Sequence, residues 1–119
     1  MEIVDLERAK EFSPAHHVHK SLTDTPRSDI TIACWEPGQA SPIHFHPGAD
    51  EIYHVLEGEG VFTDGRTERR LGPSGTVIFP AGEAHQVRAI TRMVLYRVQA
   101  GADRHPELLD AWPAARASR

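Results

Sequence analysis

Between about residues 30 and 99 apolar and polar positions alternate in short runs, each closed by turn-forming residues. The runs are DITIACWE, PIHFH, EIYHVLEG, EGVFTD, RTERRLG, GTVIFP, AHQVRAI and RMVLYRVQ. The breakers EPG, HPGAD, TDGR, GPSG and PAGE are dense in Gly, Pro and Asp. A period of two at this spacing predicts short antiparallel strands in a barrel or sandwich, not a strand–helix–strand fold. Within TDGR, Asp64-Gly65 offers the positive φ that a two-residue hairpin turn requires.

The flanks read differently. Residues 1–29 are less regular, and DRHPELLDAW (103–112) predicts a short C-terminal helix that packs Leu108, Leu109 and Trp112 on the barrel. PAARASR (113–119) reads as a frayed tail. With no internal repeat or linker, the expectation is one all-β domain over 1–119. It comprises an N-terminal segment 1–29, a barrel core of about 30–99, and a terminal helix and tail over 103–119.

Composition narrows the function classes. The chain has 119 residues, 39% hydrophobic and 25% charged, enough for one modest core. A net charge of −4 offers no basic field for nucleic acid, and the one adjacent basic pair, Arg69-Arg70, reads as solvated surface. No apolar run approaches the roughly 18 residues of a membrane helix, and MEIVDLERAK lacks the pattern of a secretory leader. Cys34 is the sole cysteine, which rules out an intrachain disulfide and suits a reducing cytoplasm. Its place in ITIACW predicts a buried, inert thiol.

The candidate chemistry begins in PIHFHPGADEIYHVLEGEG (42–60). Strand residues two apart share a face, so His44 and His46 project side by side and could converge on one ion. After the turn PGAD, a hairpin would bring Glu51 back beside them, with Glu51, Tyr53 and Val55 on one face and Ile52, His54 and Leu56 on the other. Asp50 is the competing carboxylate, but it lies in the turn. In GTVIFPAGEAHQVRAI, His85 opens a strand after Pro80-Ala81-Gly82, and it becomes a fourth ligand if that strand lies beside the first. Three imidazoles and one carboxylate leave about two open positions on an octahedral ion, as catalytic sites require. Imidazole suits Fe, Ni, Zn and Cu, and the carboxylate keeps Mn and Fe in play.

These residues resemble the cupin superfamily. Its first motif is glycine, five residues, HxH, three or four residues, Glu, six residues and glycine. Here Gly38, QASPI, His44-Phe45-His46, PGAD, Glu51, IYHVLE and Gly58 match at every anchor. The second motif is matched by Pro80, Gly82 and His85, while Ser74 takes the first glycine position and Ala89 stands where asparagine is usual. The motifs span 38–89. The resemblance implies a double-stranded β-helix, a jelly-roll barrel of two antiparallel sheets. It implies one divalent transition metal (Fe, Mn, Ni or Zn) on His44, His46, Glu51 and His85, and a homodimer.

Other residues carry weaker signals. His17 and His19 form a second HxH, but in an irregular segment without a paired carboxylate they are expected at the surface. Tyr53 shares the face of Glu51 and is the candidate catalytic proton donor, or else core filling. In the last strand Arg92, Val94, Tyr96 and Val98 alternate with Met93, Leu95, Arg97 and Gln99, and either set suits the interior. The expected function is a metal-dependent enzyme, dioxygenase-like on an organic acid or enol. The alternatives are an isomerase, lyase or decarboxylase on a sugar or small acid, or a non-catalytic module that binds a small ligand. No helix-turn-helix pattern supports a DNA-bound regulator.

Overall fold

The computed structural model describes residues 1–101, 103 and 105–114. After a single helical turn, α1 (Leu6–Ala9), come β1 (Val18–Asp24), β2 (Ser28–Trp35), β3 (Ile43–Phe45), β4 (Asp50–Glu57) and β5 (Gly60–Thr63). Then follow β6 (Glu68–Leu71), β7 (Thr76–Phe79), β8 (Gln86–Ala89), β9 (Met93–Ala100) and β10 (Glu107–Leu109). One antiparallel sheet runs β1-β2-β9-β4-β7, and facing it lie β6-β5-β8 and the pair β10-β3. Bridges Ala40↔Arg88 and His44↔His85 join β8 to the β3 segment, so these strands together make the second wall of a double-stranded β-helix.

Period-two patterning decides which side chains meet between the walls. On β4, Glu51, Tyr53 and Val55 are buried, while Ile52, His54 and Leu56 are only partly so. On β9 the inward set is Met93, Leu95, Arg97 and Gln99, which settles the choice left open by alternation. Ala33, Trp35, Tyr53, Val55, Phe62, Phe79, Val87, Ala89, Met93 and Leu95 form the core between the sheets. Each large side chain excluded there contributes roughly 1.5–3 kcal/mol.

The outer face of the larger sheet is covered by the N-terminal segment. Leu6, Ala9 and Phe12 pack on Ile32, Cys34 and Val94, and the Arg92 guanidinium lies 3.6 Å over the Phe12 ring. Cys34 is therefore buried away from the interior, and burial pushes its thiol pKa up, as an inert role requires.

Three expectations need correction. Residues 107–109 form a strand, not a C-terminal helix, with Leu108 opposite His44 in the ladder. A ten-residue helix interrupted by Pro106 is marginal alone, whereas the free edge of β3 offers backbone partners at once. Trp112 does pack on the barrel, at the position where a side chain on Gly65 would stand. Of the expected tail, residues 115–119 lie outside the described residues. The TDGR turn is a four-residue loop, Asp64–Thr67, in which Gly65 alone takes positive φ (+88°) and the Asp64 carboxylate accepts from the backbone N–H groups of Arg66 and Thr67. Finally, β4 does not pair with β3. The turn between them carries the chain from one sheet to the other, and β4 pairs with β7 and β9.

Candidate metal centre

His44 and His85 come together through the backbone. Each N–H donates to the other's carbonyl, at 3.1 and 2.8 Å, which makes a hydrogen-bonded antiparallel pair whose side chains share one face. Their ring centroids lie 4.3 Å apart. Each ring is oriented by the same local device. His44 Nδ1 lies 2.8 Å from the Pro42 carbonyl, and His85 Nδ1 lies 2.9 Å from that of Glu83. A carbonyl only accepts, so Nδ1 carries the proton in both, and both Nε2 lone pairs are free for a ligand role. Phe79 stacks on the His85 ring at 4.2 Å and 7°, which further limits its rotation.

The carboxylate arrives from the opposite wall. Glu51 is 1% exposed and opposes Phe79 and Gln99 in register. Its ligand oxygen lies within 4.8 Å of ligand nitrogens of His44 and His85, and this buried trio could hold a metal ion. His46 closes on the same carboxylate, with Nε2 2.5 Å from Glu51 Oε1. Both His46 nitrogens, both Glu51 oxygens and His85 Nε2 are buried without a hydrogen-bond partner. Polar atoms buried without partners cost about 1–3 kcal/mol each, and a cation could satisfy the lone pairs among them, though not the His46 nitrogen that carries the proton. The donor set therefore fits a transition metal. Burial also pushes the pKa of His44 down and that of His85 down to about 4, which keeps both imidazoles neutral and ligand-ready.

Asp50 does not join the centre. Its exposed carboxylate accepts from the Ala81 N–H at 2.8 Å and pins the turn that leads into His85. Tyr53 lines the cavity and is almost fully buried, its ring 5.9 Å from that of His85. Burial drives its pKa up, so the phenol stays protonated and can donate but not serve as a base. His54 points to the outer face, where it meets Thr76 Oγ1 at 2.8 Å.

The centre opens into a cavity of about 410 Å³. Its walls include residues that sequence reasoning did not assign. Arg97 lies beside Thr31 and Tyr53 in register, with Nη2 2.8 Å from Thr31 Oγ1 and 3.2 Å from Asp29 Oδ2, and Nε 3.5 Å from Glu51 Oε2. Ser21 donates to Asp29 Oδ1 at 2.5 Å. The signal for Arg97 was its odd-numbered place on β9, which becomes decisive only once Met93 and Leu95 are known to point inward. His17 and His19 also line this cavity; His19 is exposed, as expected, whereas His17 is half-buried, which corrects its surface assignment. Strand β1, not foreseen in the irregular N-terminal segment, carries His19 and begins right after His17, which stacks on Trp35 at 4.0 Å and 7°.

A β-barrel of two sheets with a buried histidine–carboxylate cluster between them is an architecture that could hold a metal ion. The chain belongs to the cupin family: residues 31–106 match the family described as Cupin domain. The oxalate-binding protein of Thermotoga maritima is 35% identical over 51 residues, which are 43% of this chain and 42% of that protein. The chain is thus matched to under half the length of that curated relative. A solved structure from Thermus thermophilus superposes with a TM-score of 0.79 and 34% identity, over 85% of this chain and 98% of its own. The DMSP lyase DddQ of Ruegeria pomeroyi superposes at 0.71 with 27% identity, over 85% of this chain and 54% of its own.

Proposed function

We propose that the chain holds one divalent transition metal on His44, His46, Glu51 and His85 and uses it to bind a small organic acid and act on it. The observation that supports this reading is the convergence of the buried ligand atoms of His44, Glu51 and His85 between the sheets, with both Glu51 oxygens and His85 Nε2 lacking a hydrogen bond. When bound, such an ion supplies Lewis acidity, and if it is iron, redox capacity.

The chain's own charges favour an anionic ligand only after metal binding. Asp29 and Glu51 against Arg97 leave the cavity with one net negative charge, which a divalent cation would turn to one net positive. Arg97 pairs with Asp29, and its Nε lies 3.5 Å from Glu51 Oε2. Tyr53, kept neutral by burial, serves as a hydrogen-bond or proton donor to a ligand oxygen. Similarity to an oxalate-binding protein supports a carboxylate ligand. With iron this site would suit the dioxygenase-like chemistry expected from the ligand set. Similarity to a lyase favours the non-redox alternative, and a pure binding module would show ligand affinity without turnover. A homodimer and a cytoplasmic location belong to the same reading.

Metal content of untagged protein, before and after loading with Fe²⁺, Mn²⁺, Ni²⁺ and Zn²⁺, tests the proposal. One equivalent of metal is expected, and carboxylate binding by calorimetry only when it is present. Protein that stays metal-free under all four ions overturns it. Light scattering after size exclusion tests the dimer.

A further inference from the structure

The shape and charge of the cavity bear on which acid it takes. The volume of about 410 Å³ lies in the range of sites for ligands far larger than a two-carbon diacid. Beyond the candidate ligands, Ala33, Trp35, Pro42, Pro106 and Leu108 present an apolar wall. It begins next to the centre, because Leu108 is the direct ladder partner of His44 and their side chains share a face.

Part of this lining is aromatic. Trp35 is 2% exposed, stacked face to face on His17, and its buried Nε1–H has no acceptor. Burial holds the His17 pKa down to about 4, so the stacked pair is uncharged at neutral pH. Arg97 is the one cationic lysine or arginine among the described cavity residues, and its charge is met by Asp29 and Glu51. A second carboxylate on the ligand would find no cation to receive it among the described residues, and its desolvation would go uncompensated. A flat apolar group would instead meet rings and aliphatic surface.

Resting on the metal–carboxylate reading above, we infer that the ligand is a monocarboxylic acid. Its chelating head sits at the histidine–glutamate centre, and a planar apolar arm, aromatic or conjugated, lies against Leu108, Pro106 and the His17–Trp35 stack.

Three acids with the same 2-oxo-carboxylate head test this by calorimetry on Ni²⁺-loaded protein. They are pyruvate with a methyl arm, 2-oxoglutarate with a charged arm, and benzoylformate with a phenyl arm. Benzoylformate is expected to bind at least about ten-fold more tightly than pyruvate, the return for burying a ring, and 2-oxoglutarate no more tightly than pyruvate. Leu108 is 65% exposed, so Leu108→Asp should fold, and it is expected to cut the benzoylformate-to-pyruvate ratio to about three or less. A ratio near one in the native chain, tighter binding of 2-oxoglutarate than of benzoylformate, or a ratio unchanged in Leu108→Asp overturns the arm assignment and leaves the metal reading standing. Failure of every acid, pyruvate included, to bind Ni²⁺-loaded protein overturns the metal–carboxylate reading and the inference with it.

Discussion

His44 and His85, forty-one positions apart, exchange both backbone hydrogen bonds and set their rings 4.3 Å from each other. Neither bond involves a side chain. His85→Ala should therefore keep its β circular dichroism while losing metal affinity by more than about 100-fold, beyond the 10–100-fold typical of outer partners. Competition with a chromogenic chelator reads the loss. Global unfolding of the variant would instead make His85 part of the fold's stability.

Arg97 sits among Asp29, Glu51 and Thr31, and its side chain is mostly buried. Arg97→Met leaves two carboxylates without their cation, and the metal-free variant should lose about 3 kcal/mol. Adding Ni²⁺ should restore part of the loss, because the ion becomes the new partner of Glu51. Urea unfolding with and without metal measures both quantities.

Tyr53 has a foot in the core and a hydroxyl at the cavity. Tyr53→Phe should retain metal content and lower turnover on whatever acid is found to react. Equal turnover in the two proteins would reduce Tyr53 to a packing residue. With its pKa raised by burial, Tyr53 should add no limb to a pH–rate profile below about pH 10.

Burial lowers the pKa values of His17 and His85 from 6.5 to about 4. A depressed folded-state pKa means that the unfolded chain binds more protons in this window, so stability rises with pH. The metal-free protein should be fully stable above about pH 6.5 and weaken progressively as pH falls toward 4. Urea midpoints across that range provide the check, and His17→Gln should flatten the dependence.

Ser74 has φ of +75°, the only non-glycine residue with positive φ among those described. It occupies the place where the first glycine of the second motif is usual. Ser74→Gly removes the clash of Cβ with its own backbone and should stabilise the fold by about 1 kcal/mol in thermal unfolding. A destabilised variant would show that the added freedom of the unfolded chain outweighs the strain.

Much of this was legible in the chain. The strands from DITIACWE to RMVLYRVQ, the shared face of Glu51, Tyr53 and Val55, and the outward turn of His54 all follow from alternation, a local property of the backbone. Alternation also put His44 and His46 on one face, whereas Glu51 and His85 joined them through the resemblance to the cupin motifs, since the hairpin expected between β3 and β4 does not form. Strand β1 escaped notice because VHKSLTD has weak alternation and forms only against β2. The helix expected at 103–112 yielded to the free edge of β3, a partner that periodicity cannot reveal.

What the sequence determined by itself, then, was the class of fold and a short list of candidate ligands, because strand period and turn chemistry act over a few residues; the barrel brings three of them, His44, Glu51 and His85, within reach of one ion. Only the tertiary structure decided that Arg97 and Gln99 face inward, that His17 lies on Trp35, and that Leu108 walls the cavity beside His44. Those outcomes depend on which surfaces of distant strands exclude water together, and that is a property of the closed barrel.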